Sequence, residues 1–163
     1  MLHTYFADET TARGVRTVKP PAERAGRDPD DVRVGSCLAT VGDHVPADTQ
    51  LRTTVGRLAT YLQGYGDLLV ATNDWDPAVL ERFRADELVA GFGGGLDVTG
   101  TTEQLEHVAT LLPDEWLAAA ATGSAEQCAA TVRSQLDLGC DAVILHGASP
   151  TELAPVLEAY RGG

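Results

Sequence analysis

The last quarter of the chain contains a histidine whose position could support acid–base chemistry. His146-Gly147 directly follows Ala142–Leu145, a short continuous apolar run typical of a parallel strand buried on both faces. A histidine at the carboxyl end of such a strand can hold a substrate or move a proton near neutral pH. The competing interpretation is a strand-end histidine that bonds only to a backbone carbonyl. We take His146 as the candidate catalytic residue.

A second motif, Gly123-Ser124, could bind phosphate. Ser124 and Gln127 have the spacing of a capping box, in which each side chain binds the backbone amide of the other residue. The free amides and the helix dipole at such a helix start attract anions. The alternative is an ordinary capped helix without a ligand.

Other motifs lack a part that a ligand site needs. Gly91–Gly95 is rich in glycine, but it has neither the lysine and hydroxyl residue of a P-loop nor the strand-then-helix frame of a dinucleotide fingerprint. We predict a mobile loop there, which in a complete enzyme could fold over the active site. His3, His44 and His107 share no metal-ligand spacing, so we predict no metal site.

Length and charge limit the class of protein. A chain of 163 residues is about one domain, which we take as 1–163. The formal net charge is −12, and the acidic excess lies after Gly42, where the sequence has 18 acidic and six basic residues. This balance argues against nucleic acid or an anionic membrane as partner. The sequence contains no run of 18 apolar residues, so we predict no membrane span, and Met1–Phe6 does not resemble a signal peptide.

The cysteines and tryptophans are predicted to be structural. Cys37, Cys128 and Cys140 lie far apart in strands or on apolar helix faces, which favours buried, reduced thiols and a cytoplasmic location. Trp75 and Trp116 are predicted to lie in the core or at an interface rather than to stack on a ligand.

The first two thirds of the chain are predicted to be largely helical. Pro20-Pro21 should interrupt a first helix, because proline removes an amide and clashes with the preceding turn. Val32–Val41 predicts a strand. Asp48 should open a long helix that Gly64–Gly66 loosens at its end, while Leu68–Thr72 could be helix or strand.

The closing segment predicts strand, helix, strand, helix between Trp116 and Tyr160. Gly139 is placed where a left-handed residue would end the first helix, and Ser149-Pro150 has the form of a second capped helix start. This alternation is the unit of a parallel sheet. Only three strands are predicted in the whole chain, whereas a closed barrel of this kind needs eight.

Several of these segments together resemble the luciferase-like monooxygenase superfamily of flavin- or coenzyme F-420-dependent enzymes. The segments are Glu23–Pro29 leading into Val32–Val41, then Asn73–Pro77, Ala121–Gln127 and Leu138–Gly147. The family folds as a (β/α)8 TIM barrel, and the resemblance covers only the C-terminal half of that fold. The implied fold class is therefore α/β: the C-terminal portion of a barrel, with about three parallel strands and a largely helical middle.

The resemblance implies an oxidoreductase in which hydride passes between the ring of coenzyme F-420 or FMN and a small organic substrate. It makes Gly123, Ser124 and Gly147 candidate cofactor-binding residues beside His146. The family's N-terminal strands, which supply most cofactor contacts, have no counterpart, so the chain is not expected to be catalytically complete alone. We expect a homo-oligomer or a complementing N-terminal half. The alternative is a non-catalytic oligomerisation or partner-binding module derived from the same fold.

Overall fold

A parallel sheet of three strands forms the centre of the protein. The computed structural model describes residues 1–163. Its strands are β1 (Gly35–Gly42), β2 (Ala121–Gly123) and β3 (Ala142–His146). The strand order is β2-β1-β3. Near the carboxyl ends, Gly42 lies opposite Gly123 on one side of β1, and Ala39 lies opposite His146 on the other.

Ten helices surround this sheet. They are α1 (Asp8–Arg24), α2 (Ala47–Leu51), α3 (Arg57–Asn73), α4 (Pro77–Ala85), α5 (Glu87–Gly91), α6 (Leu96–Thr99), α7 (Thr102–Ala109), α8 (Asp114–Leu117), α9 (Ala125–Asp137) and α10 (Pro150–Gly162). A π-helical turn, Arg52–Gly56, joins α2 to α3. None of the helices combines the length and the apolar character that crossing a membrane requires.

The two faces of the sheet are covered by different parts of the chain. On one face, Leu38 packs against Cys128 of α9 and Val156 of α10, and the buried Ser36 hydroxyl donates a 2.8 Å hydrogen bond to Gln135. Side chains alternate along a strand. Ala39 therefore points to the opposite face, where it joins the largest apolar core, formed mainly by α3, α4 and α7.

Trp116 is one of the largest side chains in that core. It is 1% exposed, and its ring stacks on Trp75 with ring centroids 4.5 Å apart. Trp75 is partly buried against the same core. The prediction that these rings are structural is therefore confirmed.

The strand order differs from that of neighbouring strands in a barrel. In a (β/α)8 barrel, each strand is followed by a helix and then by the next strand of the closed sheet. Here β2 and β3, which α9 connects, lie on opposite sides of β1. The described fold is thus an α/β arrangement around an open three-stranded sheet. In open sheets of order 2-1-3 the second and third strands are added on opposite sides of the first, and ligands bind outside the carboxyl ends of the strands at the point where the strand order reverses, between the first and third strands.

The closing segment folds largely as predicted. Ser124 and Ser149 each complete a capping box, and Pro150 occupies the first turn of α10. Gly139 has a φ of +99° directly after α9. These features were predictable because a cap is decided within four residues. Trp116 itself lies in α8, so the first strand of this segment is confined to Ala121–Gly123.

One prediction about a helix break was wrong. Pro20 and Pro21 lie inside α1, which continues to Arg24. The carbonyls of Arg16 and Thr17, which would have accepted from these two positions, belong to exposed residues, so water can replace the missing bonds.

The loosening predicted at the glycines of α3 is present as a kink. Tyr65, which lies between Gly64 and Gly66, departs from helical dihedrals with φ −150° and ψ 38°, so the helix is kinked at the predicted place. The helix then resumes through Leu68–Thr72, one of the two alternatives for that segment, and ends at Asn73. Leu69 and Val70 are buried in the largest core. Their packing keeps the chain helical beyond the kink, although glycine costs about 1 kcal/mol per residue in a helix.

Candidate functional site

His146 lies at the carboxyl end of β3, where it lines a cavity of about 260 Å³. The remaining lining residues are Met1, Leu2, His3, Thr4, Cys37 and Tyr61. The cavity therefore occupies the face of β1 and β3 that the N-terminal segment covers. It is also next to the β1–β3 boundary, the position at which open α/β sheets of this order bind ligands.

Two side chains of α3 contact the His146 ring. The Tyr61 hydroxyl lies 3.1 Å from Nε2 of His146, and Nη1 of Arg57 lies 3.3 Å from the same atom. Arg57 and Tyr61 are four residues apart, so they share one face of the helix. Residues separated by 85 positions thus meet at the end of β3.

The surroundings keep the His146 ring neutral. Burial lowers the pKa of His146 below its usual value of 6.5, and the positive charge of Arg57 lowers that pKa further, while Asp97 acts in the opposite direction. A neutral imidazole has one nitrogen that donates and one that accepts. At neutral pH, His146 is thus able to bind a polar group without carrying a charge into the cavity.

Arg57 is held by a nearly buried carboxylate. Its Nε lies 3.1 Å from Oδ2 of Asp97, whose side chain is 7% exposed. The Nε–H is not aligned for a hydrogen bond, so the contact is an ion pair. Thr60 donates to the other oxygen of Asp97 at 2.7 Å. Asp97 therefore balances the charge of Arg57 and fixes it behind His146.

Gly147 connects the end of β3 to the π-helical turn. It has a φ of +106°, which favours glycine. A Cβ on it would lie 2.6 Å from Cγ2 of Thr53, and the Thr53 hydroxyl donates to the Gly147 carbonyl at 3.4 Å. π-Helical turns occur frequently at functional sites. Here the turn precedes Arg57 directly and packs against the strand end that carries His146.

A second histidine–tyrosine pair lines the approach to this cavity. Nε2 of His3 lies 3.0 Å from the Tyr65 hydroxyl, and Nδ1 of His3 lies 2.7 Å from the Thr4 carbonyl. The His3 and Tyr61 rings meet edge to face, with centroids 5.2 Å apart. Burial raises the pKa of Tyr65 to about 12, so its hydroxyl stays protonated at neutral pH.

Gly123 and Ser124 lie apart from His146. Gly123 ends β2 on the far side of β1, and its register on β1 is three residues further along than that of His146. At about 3.3 Å per residue, this offset is about 10 Å along the strand direction. The four predicted site residues therefore belong to two separate sites. His146 and Gly147 form the first, and Gly123 and Ser124 form the second.

The helix start at Ser124 is already occupied by side chains of its own helix. Oε1 of Gln127 accepts the Ser124 amide at 2.8 Å, and the Ser124 hydroxyl donates to the Glu126 carboxylate at 2.8 Å. Bonds from the amide of Glu126 itself and from Ser124 lower the pKa of that carboxyl. A resident carboxylate thus lies where a phosphate would bind, and competes with it.

Sequence reasoning missed Arg57, Tyr61 and Asp97, and it considered His3 only as a metal ligand. The i, i+4 spacing of Arg57 and Tyr61 was readable, but nothing local indicated that this helix face meets β3. His3, Cys37 and His146 all line the cavity. Even so, no three histidine, cysteine or acidic side chains converge anywhere in the protein closely enough to hold a metal ion.

No protein-family model matches the chain. No curated protein matches it either.

Proposed function

We propose that the chain is the substrate-side part of a flavin- or coenzyme F-420-dependent oxidoreductase of the luciferase-like type, and that the His146 cavity holds a small organic substrate. The observation that carries this proposal is the neutral His146 at the carboxyl end of β3, held by Arg57 and Tyr61 beside an open cavity. Active sites of α/β enzymes lie at such strand ends. The resemblance of the closing segment to the family supports the same class.

The protein's own residues do not fit a complete flavin nucleotide. At about 260 Å³, the His146 cavity lies below the range of about 300–1,000 Å³ typical of sites for drug-sized ligands, so its size suits a small organic molecule but not a flavin nucleotide. Glu126 occupies the helix start that would have been the phosphate site. The cofactor would therefore need groups from a second copy or from a complementing N-terminal half. We accordingly propose that the chain is not catalytically complete alone.

What the chain contributes under this proposal is binding and orientation. His146 offers one polar contact, while the rings of Tyr61 and His3 and the side chain of Leu2 supply apolar walls. Three free thiols, Cys37, Cys128 and Cys140, fit the cytoplasmic location that the proposal includes.

The test uses the flavin ring without its phosphate. Lumiflavin or the corresponding deazaflavin ring should perturb the NMR resonances of His146 and Tyr61 at millimolar concentration, because ring contacts do not depend on the missing phosphate cradle. Adenosine is the control for unspecific stacking. FMN should bind no tighter than lumiflavin. Lumiflavin that leaves both residues unchanged, or that acts no differently from adenosine, would contradict the oxidoreductase proposal.

A second candidate function is assembly through β3. This strand has a partner on one side only, β1, and Ile144 in its middle is 48% exposed. An apolar groove of about 290 Å³ borders the same strand and includes Val143, Leu157 and Tyr160. Unpaired strands of this kind are sites for pairing with another chain. Under this alternative the protein is a non-catalytic module that self-associates.

Light scattering after gel filtration tests the assembly candidate. The native protein should be a dimer or larger at tens of micromolar, and Ile144→Lys should make it monomeric. Val98→Lys is the matched control, because Val98 is an exposed apolar residue, at 75%, on α6 and outside the sheet. A native protein that is monomeric at every concentration excludes self-assembly.

A further inference from the structure

The Nε2 atom of His146 faces two hydrogen-bond donors. Nη1 of Arg57 lies 3.3 Å from it and the Tyr61 hydroxyl 3.1 Å from it. A guanidinium group has N–H donors only and accepts no hydrogen bond. If Nε2 carried the ring proton, it would oppose Arg57 donor to donor. Nε2 is therefore the acceptor, and the proton of the neutral ring lies on Nδ1.

The Nδ1 atom of His146 is not used by the protein. The hydrogen bonds of the ring are the two to Arg57 and Tyr61, and both involve Nε2. His3 differs, because its Nδ1 lies 2.7 Å from the Thr4 carbonyl and is satisfied within the protein. His146 thus presents a free N–H donor on a ring that lines the cavity.

We propose that Arg57 and Tyr61 hold His146 in the Nδ1–H form, and that the cavity binds a small neutral organic molecule through its carbonyl oxygen. Arg57 acts here as a positioning residue. The inference names the substrate class for the site proposed above and rests on that proposal for its biological meaning, but its physical content does not depend on a flavin.

Charge and lining favour a neutral ligand over an anion. Asp97 balances Arg57, so the charged groups around His146 leave little net positive charge. The protein as a whole carries −12, which disfavours the approach of anions. The walls formed by Leu2, Tyr61 and the His3 ring are mainly apolar. A carbonyl compound with one aromatic ring matches a site with apolar walls and one donor.

The first test reads the tautomer directly. Long-range ¹H–¹⁵N NMR of protein labelled at histidine, near pH 7.5, should find His146 protonated on Nδ1. Arg57→Leu should shift His146 toward the Nε2–H form and raise its pKa toward 6.5. Arg52→Leu is the matched control, because Arg52 donates to the carbonyls of Asp97 and Gly100 and does not touch His146. Native His146 protonated on Nε2 overturns the inference even if Arg57→Leu does not fold.

The second test probes the ligand class with two molecules of similar size. Acetophenone should shift the His146 resonances at concentrations at which ethylbenzene, which has no carbonyl, leaves them unchanged. His146→Phe should weaken acetophenone binding about threefold to tenfold, the loss expected for one hydrogen bond. His146→Gln, which keeps an N–H donor, should recover part of that loss. Equal responses to the two molecules, or unchanged binding in His146→Phe, overturn the inference.

The two proposals fail separately. A response to acetophenone without any response to lumiflavin contradicts the flavin-dependent function and leaves the carbonyl site intact. A response to lumiflavin with His146 protonated on Nε2 contradicts the carbonyl site and leaves the flavin-dependent function intact.

Discussion

The hydroxyl oxygen of Tyr61 lies 3.1 Å from Nε2 of His146, although 85 positions separate the two residues in the sequence. One belongs to a helix in the middle of the chain and the other ends the last strand. This contact makes the face of α3 part of the candidate site. It also means that the properties of His146 depend on how α3 packs against the sheet.

Tyr61→Phe should change His146 without disturbing the packing of the ring. Losing one hydrogen bond should lower the free energy of unfolding by about 0.5–1.5 kcal/mol. The Tyr61 hydroxyl donates to the neutral form of His146, so its removal should also raise the pKa of His146. NMR titration and urea denaturation measure the two effects. Tyr65→Phe, which removes the bond to His3, should leave the pKa of His146 unchanged.

The stability of the protein should depend on pH below neutrality because of His146. Its pKa is lower in the folded protein than the usual 6.5, so the unfolded chain binds the proton more readily. The contribution of His146 to the free energy of unfolding is then fully present above pH 6.5, and it is lost as the pH drops toward the pKa of His146 in the folded protein. Urea midpoints measured from pH 7.5 to 5 should show this loss. This loss should be smaller in the His146→Gln variant and the same in the His44→Gln variant. A native midpoint that stays constant over this range contradicts the neutral His146.

Gly147→Ala should destabilise the protein at the contact between β3 and the π-helical turn. The residue has a φ of +106°, and a Cβ would meet Cγ2 of Thr53. We expect a loss of about 1–3 kcal/mol in the free energy of unfolding. Adding Thr53→Ser, which removes the methyl group and keeps the hydroxyl, should recover the steric part of the loss.

Gly64→Ala is the control for that substitution. Gly64 is helical, and a Cβ there would meet no atom within 4 Å. Alanine should therefore stabilise α3 by about 0.5–1 kcal/mol. Equal effects at the two glycines would show that Gly147 has no special conformation.

Phosphate should not stabilise the native protein through the start of α9. The Glu126 carboxylate, 2.8 Å from the Ser124 hydroxyl, already occupies the position that an anion would take. Thermal unfolding in sodium phosphate and in sodium chloride of equal ionic strength should give the same midpoint. Glu126→Ala should create a phosphate-dependent rise. A rise already present in the native protein would restore Gly123 and Ser124 as a phosphate site.

The parts of the fold that the sequence predicted are those decided locally. The Ser124 and Ser149 capping boxes and the left-handed Gly139 each depend on neighbours within a few residues. His146 was predicted at a strand end, because the apolar run Ala142–Leu145 ends directly before it and Gly147 follows it. These signals describe the elements but not how the elements pack together.

What the sequence did not predict depends on contacts between distant segments. No local pattern places Arg57 behind His146, because that requires the order of the strands and the rotation of α3. Pro20-Pro21 was predicted to break a helix from its local chemistry, but the surrounding chain keeps α1 intact. The same limitation explains why Gly123 and His146, which both end strands, proved to lie on opposite sides of β1.

The position of β1 between its two partners has a consequence for the newly made chain. The ribosome releases β1 long before it completes β2 and β3, which come from the last third of the sequence. At a synthesis rate of about 5–20 residues per second, both edges of β1 remain unpaired for on the order of ten seconds. During this interval its apolar residues are open to association with other nascent chains. We expect expression yield to depend on growth temperature and on chaperones that bind extended apolar segments.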